Sequence, residues 1–143
     1  MSGAAAAKTG MNTRPATPKV VLGMDGLCPV SITKDRDWKQ GQSTFGCIHR
    51  GRLYYFLSKE YKDLFLAEPD RYAPVLAGYD VVEYIDNGRL VEGKTEHVLM
   101  PKTLNRLMRF SSDANKKKLM SNPARYYQAV EVARQNIDTK FLR

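Results

Sequence analysis

"FLSKEYKDLFLAEPDRYAP", residues 56–74, recurs in outline 54 positions later as "FSSDANKKKLMSNPARYYQ", residues 110–128. Phe56, Ser58, Lys62, Pro69, Arg71 and Tyr72 return as Phe110, Ser112, Lys116, Pro123, Arg125 and Tyr126 without an insertion. Self-similarity at a fixed offset marks duplicated units, so each copy is read as one structural element set. Ser58 and Ser112 suit a helix N-cap, where the hydroxyl accepts from an orphan backbone N–H. Tyr61, Leu64 and Phe65 then fall on one helical face, matched by Asn115, Lys118 and Leu119. Pro69 and Pro123 end these short helices, because proline cannot continue the hydrogen-bond ladder. The chain that follows is expected to bring Tyr72 or Tyr126 back onto the unit.

Working outward, "FGCIHRGRLYYF" at 45–56 places aromatic and β-branched residues around Arg50-Gly51, the pattern of a tight β-hairpin. The matching "HVLMPKTLNRLMRF" at 97–110 has a longer loop containing Pro101, and the two extra residues of the second copy fall near Pro101 to Asn105. Each copy opens on a glycine-centred turn, "MDGLCPVSI" at 24–32 and "LAGYDVVEYI" at 76–85. The expected architecture is α+β, with two small ββα repeats packed into one pseudo-symmetric core. Its parts are a flexible leader (1–19), a first repeat (20–75), a second and divergent repeat (76–127) and a C-terminal amphipathic helix (128–143). Ala129, Val132, Ala133, Asn136 and Ile137 form that helix's apolar stripe, suited to core docking or to a partner.

Composition narrows the class. A chain of 143 residues with 43% hydrophobic and 27% charged content suits a globular domain with a core of its own. No apolar run reaches the roughly 18 residues of a membrane span, so no integral membrane segment is expected. The leader lacks the hydrophobic core of a secretory signal, which favours the cytoplasm over export, and Met11 and Met24 are alternative starts. Net charge is +8, and from Lys102 onward ten Lys and Arg face only Asp113, Glu131 and Asp138. Lys116, Lys117, Lys118 and Arg125 are therefore candidate contacts to nucleic acid or an anionic surface, against the alternative of a solvated basic face. Tyr54, Tyr55, Phe56, Tyr61, Phe65 and Tyr72 fit core packing better than base stacking.

"IHRGRLYYFLSKEYKDLFLAEPDRYAP" resembles the YHS domain, a small module related to TRASH-type treble-clef metal-binding folds. "GYDVVEY" with "RFSSDANKKKLMSNPARYY" resembles the same domain, and the two together span about residues 22–127. Tandem copies entered by "GLCPVS"-like segments are similar to small, uncharacterised bacterial proteins. The resemblance implies an entry cysteine near Cys28, another at the position of Leu57 and a third at the position of Tyr61. In the second copy those positions are Asp80, Ser111 and Asn115. A tetrahedral zinc or copper site requires several thiolate or imidazole ligands, so most of the implied ligand set is absent. A unit of roughly 45 residues that lacks a metal requires stability from elsewhere, and a second copy can supply it.

The candidate soft-metal ligands are Cys28, Cys47 and His49, against the favoured reading of two buried thiols and a strand histidine. Cys28 and Cys47 form no CxxC pair and do not fix the compartment. His97 beside Glu96, and Asp80, are candidate ligand-binding positions. The sequence contains no glycine-rich phosphate loop, nucleophile elbow or HExxH. The leading expectation is a non-enzymatic binding module of the YHS type, for a metal or a small molecule held between the copies. The alternatives are nucleic-acid or anionic-surface binding through the basic second copy, and an accessory domain of an enzyme or transport system.

Overall fold

A computed structural model describes residues 20–102 and 104–140, the side chains of 133–140 excepted. The leader and residues 141–143 lie outside the described residues, as do the side chains of Ala133, Asn136 and Ile137. Among the described residues the fold is α+β, with two small sheets and six α-helices, the last of them C-terminal. Among the described residues no helix is long and apolar enough to cross a membrane.

In the first half, β1 (Val21–Leu22) leads through a 3-10 turn (Gly23–Gly26) into α1 (Pro29–Asp35), then β2 (Gln42–His49) and β3 (Arg52–Phe56). Helices α2 (Lys59–Ala67) and α3 (Pro69–Tyr72) close the half. The second half runs through a 3-10 turn (Val75–Gly78), α4 (Val81–Asn87), β4 (Lys94–Leu99), β5 (Met108–Phe110), α5 (Asp113–Ser121) and α6 (Pro123–Lys140). The sheets have the orders β1-β3-β2 and β4-β5, with β1 parallel to β3 and both hairpins antiparallel.

Local backbone features recur between the halves. Met24, Asp25 and Gly26 have φ of 54°, 54° and 85°, and Leu76, Ala77 and Gly78 have 52°, 54° and 87°. Only the last of each triplet is the residue type that adopts such angles freely. Both hairpins break register at the same place, between Gln42 and Gly46 and between Lys94 and Val98. The first hairpin turns through Arg50 and Gly51, both at positive φ, as a two-residue primed turn requires. Ser58 accepts from the Tyr61 N–H and Ser112 from the Asn115 N–H, so both serines cap as the sequence leads one to expect.

Four expectations change. The segments after Gly26 and Gly78 are helices rather than turns alone: Pro29 occupies a first-turn position where its missing N–H costs nothing, and Asp80 caps α4. The C-terminal helix begins at Pro123, not 128, because that proline opens α6 directly after α5. Its core face is Tyr126 and Val130, while Val132 is 78% exposed. Leu64 likewise faces out at 38%, leaving Phe65 as the buried residue of α2, in contact with the rings of His49, Tyr54 and Phe56.

Among the described residues the buried apolar side chains fall into two clusters, where one shared core was expected. The first gathers Met24, Cys28, Val30, Ile32, Tyr54, Phe56 and Phe65, with Leu107 contributed by the second half. The second gathers Leu76, Val81, Val82, Met108, Phe110, Leu119, Tyr126 and Val130. The halves also meet through charge: Arg52 pairs with Glu92 at 2.7 Å and Arg109 with Asp25 at 3.1 Å. Both guanidinium groups are buried, and an apolar core cannot run through a junction that carries them without stranding their donors. A backbone bond, Val75 N–H to Leu107 C=O at 2.8 Å, completes the join.

Candidate functional site

Among the described residues the best-connected buried polar group is Asp80, at 0% exposure. Its place is set locally: "D-V-V-E" puts a carboxylate at the N-cap of α4, where Oδ1 accepts the Glu83 N–H at 2.8 Å. The hairpin and α5 bring in the rest. Asp80 Oδ2 accepts the Ser111 N–H at 2.6 Å, the Ser111 hydroxyl at 2.7 Å and the Asn115 amide at 3.0 Å. Asn115 also donates to Glu83 Oε2 at 3.2 Å. The Arg89 guanidinium, with Asn115 and Asn87, holds the Glu83 carboxyl below its ordinary value. Asp80, Ser111 and Asn115 are the three positions that the family resemblance marks for ligands, and the fold brings them into hydrogen-bond contact.

Their counterparts in the first half are chemically different. Cys28 is fully buried, with Leu57 and Tyr61 packed against the same apolar cluster. The Tyr61 hydroxyl donates to Asp35 Oδ2 at 2.6 Å. A soft metal fits neither set: the first offers one thiol beside a leucine and an engaged tyrosine, and the second is a carboxylate with both oxygens taken by N–H and O–H donors.

Cys28, Cys47 and His49 are not drawn into a ligand cluster. Cys47 lies half-buried on β2, where burial pushes its thiol up and disfavours the thiolate. His49, at the end of the same strand, places Nε2 at 3.0 Å from Asp70 Oδ1. Arg50 adds two bonds to the same carboxylate, Nε at 3.2 Å and Nη2 at 2.9 Å. Among the described residues no three His, Cys, Asp or Glu side chains gather as a metal ion would require. His97 sits half-buried on β4, and no hydrogen bond links it to Asp80.

The His49, Arg50 and Asp70 contact fastens the first hairpin's tip to α3. Arg50 first, then His49, holds the Asp70 carboxyl down at about 2. A depressed carboxyl stabilises the fold above its unfolded pKa near 3.9, and that contribution disappears as pH falls through about 2. Because Asp70 is 44% exposed, solvent screens the pair. Asp70→Asn is expected to cost only about 0.5–1 kcal/mol at pH 7 and almost nothing at pH 2, measured by denaturant unfolding at both values. An equal loss at both would show that charge is not the cause.

Three basic residues of α5 and α6 each have a carboxylate partner. Lys117 pairs with Asp113 at 3.0 Å, while Lys118 and Arg125 converge on Asp86 at 2.8 and 2.6 Å. The Tyr126 hydroxyl donates to the same carboxylate at 2.9 Å. Lys118 first, then Arg125, holds the Asp86 carboxyl at about 2. A groove of about 380 Å³ opens here, lined by Asp86, Lys118, Ser121, Asn122, Arg125 and Tyr126. Lys116, half-buried on α5, does not line the groove formed at Asp86.

Sequence reasoning missed Asp70, Asp86 and the crossed pairs of Arg52 and Arg109. Each partner lies 20 or more residues away, so no short-range pattern announces it; only the acidic character of "EPD" and "EYID" was visible. Arg109 remains short of partners for a buried guanidinium: Nη2 reaches Asp25 and Thr95, and Nε has no hydrogen bond. No family model, curated protein or solved structure matches the chain.

Proposed function

We propose that the chain is a non-enzymatic binding module of the YHS type that holds its second half together with hydrogen bonds instead of a metal. The observation carrying this reading is the clasp of Asp80, Ser111 and Asn115 at the three positions where metal-binding members of that family would place ligands. A buried carboxylate that accepts four donors is a structural tie, closed to substrate and already satisfied. Its burial supports a framework role over catalysis, which requires groups within reach of a reacting molecule.

Metal content separates this reading from a zinc or copper module. Where a metal is structural, its binding free energy is folding free energy, and a chelator unfolds the domain. Protein purified without chelator is expected to hold less than about 0.1 zinc, copper or iron per chain, and excess chelator should move Tm by less than about 1 °C. Stoichiometric metal, or a chelator-induced fall in Tm, would overturn the proposal.

A further inference from the structure

We propose that the groove where α4, α5 and α6 meet binds a phosphate group, carried by a small phosphomonoester or by a phosphodiester chain. It supplies a ligand class for the binding-module reading at a place apart from the Asp80 clasp, so the metal test above and the test below fail independently. The groove's volume of about 380 Å³ accommodates a phosphate together with part of the molecule that bears it.

A lysine ammonium has three N–H groups and an arginine guanidinium five. Asp86 takes one contact from Lys118 and one from Arg125, leaving most of their donors for a ligand in the groove they line. Asn122 adds a side-chain amide on the same wall. Ser121 is a spectator, its hydroxyl already donating to the Lys118 carbonyl at 2.7 Å.

Asp86 acts here as an orienting group. At 12% exposure, and charged throughout the neutral range, it holds two long cationic side chains side by side before any ligand arrives. Ordering such side chains on binding costs conformational entropy, so a site already ordered binds more tightly. Two cations against one carboxylate leave local positive charge, and Lys118 and Arg125 both belong to the basic stretch that begins at Lys102. A phosphate dianion, with oxygens to spare for Lys118, Arg125 and Asn122 together, matches that arrangement better than a single carboxylate.

The first half serves as an internal comparison. Its counterparts of Asp86, Lys118, Asn122 and Arg125 are Lys34, Leu64, Glu68 and Arg71. Both halves lay the arginine over the ring of the next residue, Arg71 on Tyr72 at 5.5 Å and Arg125 on Tyr126 at 5.3 Å. That stacked pair belongs to the shared scaffold. The lysine, the asparagine and the orienting carboxylate belong to the second half alone, and there they surround a cavity.

Amide NMR titration with phenyl phosphate, at constant ionic strength set with sodium chloride, tests the assignment. Saturable shifts confined to residues 86 and 118–126 are expected, with Kd of about 1 mM or below. Arg125→Gln and, separately, Lys118→Met should each weaken binding about 10-fold, while Arg71→Gln leaves it unchanged. Retained amide dispersion in α5 and α6 shows that each variant still folds. Displacement of phenyl phosphate by a short single-stranded DNA without terminal phosphates identifies a polymeric source; displacement by inorganic phosphate alone identifies a small molecule. Shifts that never saturate, that spread over the whole basic surface, or that respond equally to Arg71→Gln would overturn the proposal.

Discussion

Asp80→Ala is expected to lower the unfolding free energy by about 3–5 kcal/mol, the range found when one member of a buried charged network is removed. The substitution leaves the Glu83 N–H, both Ser111 donors and the Asn115 amide without their acceptor, in a place where the native aspartate is fully buried. Each stranded donor costs about 1–3 kcal/mol, partly recovered by relaxation and entering water. The α4 N-cap is lost at the same time, for about 1 kcal/mol. Asp80→Asn keeps the shape and one acceptor, so roughly half the loss is expected. Denaturant titration of the three proteins decides the matter, and a loss below about 1 kcal/mol for Asp80→Ala would show that the clasp is incidental.

The second large effect is steric. Gly41→Ala would place a Cβ at 2.4 Å from both the carbonyl carbon and oxygen of Tyr55, and Gly93→Ala would place one at 2.4 Å from the Arg109 Cβ and 2.8 Å from the Gly78 oxygen. These obstacles are backbone or backbone-anchored atoms, so neither can swing aside. The same glycines donate the N–H bonds that tie each hairpin to its entry turn, Gly41 to Gly26 at 2.8 Å and Gly93 to Gly78 at 3.0 Å. Any shift that relieves the overlap therefore pulls on those bonds. A cost of at least about 3 kcal/mol is expected for each, with soluble yield falling accordingly. Gly88→Ala is the control: its φ is +68° but nothing lies within 4 Å, so only the left-handed backbone preference of about 1 kcal/mol is at stake. If Gly41→Ala proves no worse than Gly88→Ala, the close approach does not govern the fold.

Much of the framework was legible because it is locally encoded. The serine caps, the Arg50-Gly51 turn and the prolines between short helices depend on residues a few positions apart, and all appear where those residues stand. Helices α1 and α4 were less legible, since Val30, Ile32 and Thr33, or Val81 and Val82, are β-branched and weaken the helical signal. Pro29 and Asp80 override it by fixing the first turn. The split interior was hidden for a different reason. Arg52 and Arg109 resemble ordinary strand-surface arginines in sequence, and only the folded chain shows Glu92 and Asp25 crossing the junction to meet them. Of the candidate site, Asp80 was visible through its alignment with Cys28, and Arg125 through the recurring Arg-Tyr pair. Asp70 and Asp86 became partners through tertiary folding alone.

The Asp80 clasp consists of oxygen and nitrogen atoms only. Thiolate ligands can be driven to sulfenic and sulfinic acids and then release their metal, but a carboxylate, a hydroxyl and an amide undergo none of those steps. This contact therefore has no redox state and depends on no metal supply. The chain's two cysteines both lie in the first half, Cys28 fully buried and Cys47 with its thiolate disfavoured by burial. Oxidant reaching the protein would meet its thiol chemistry on one side of the junction, and on the other a tie that peroxide leaves intact.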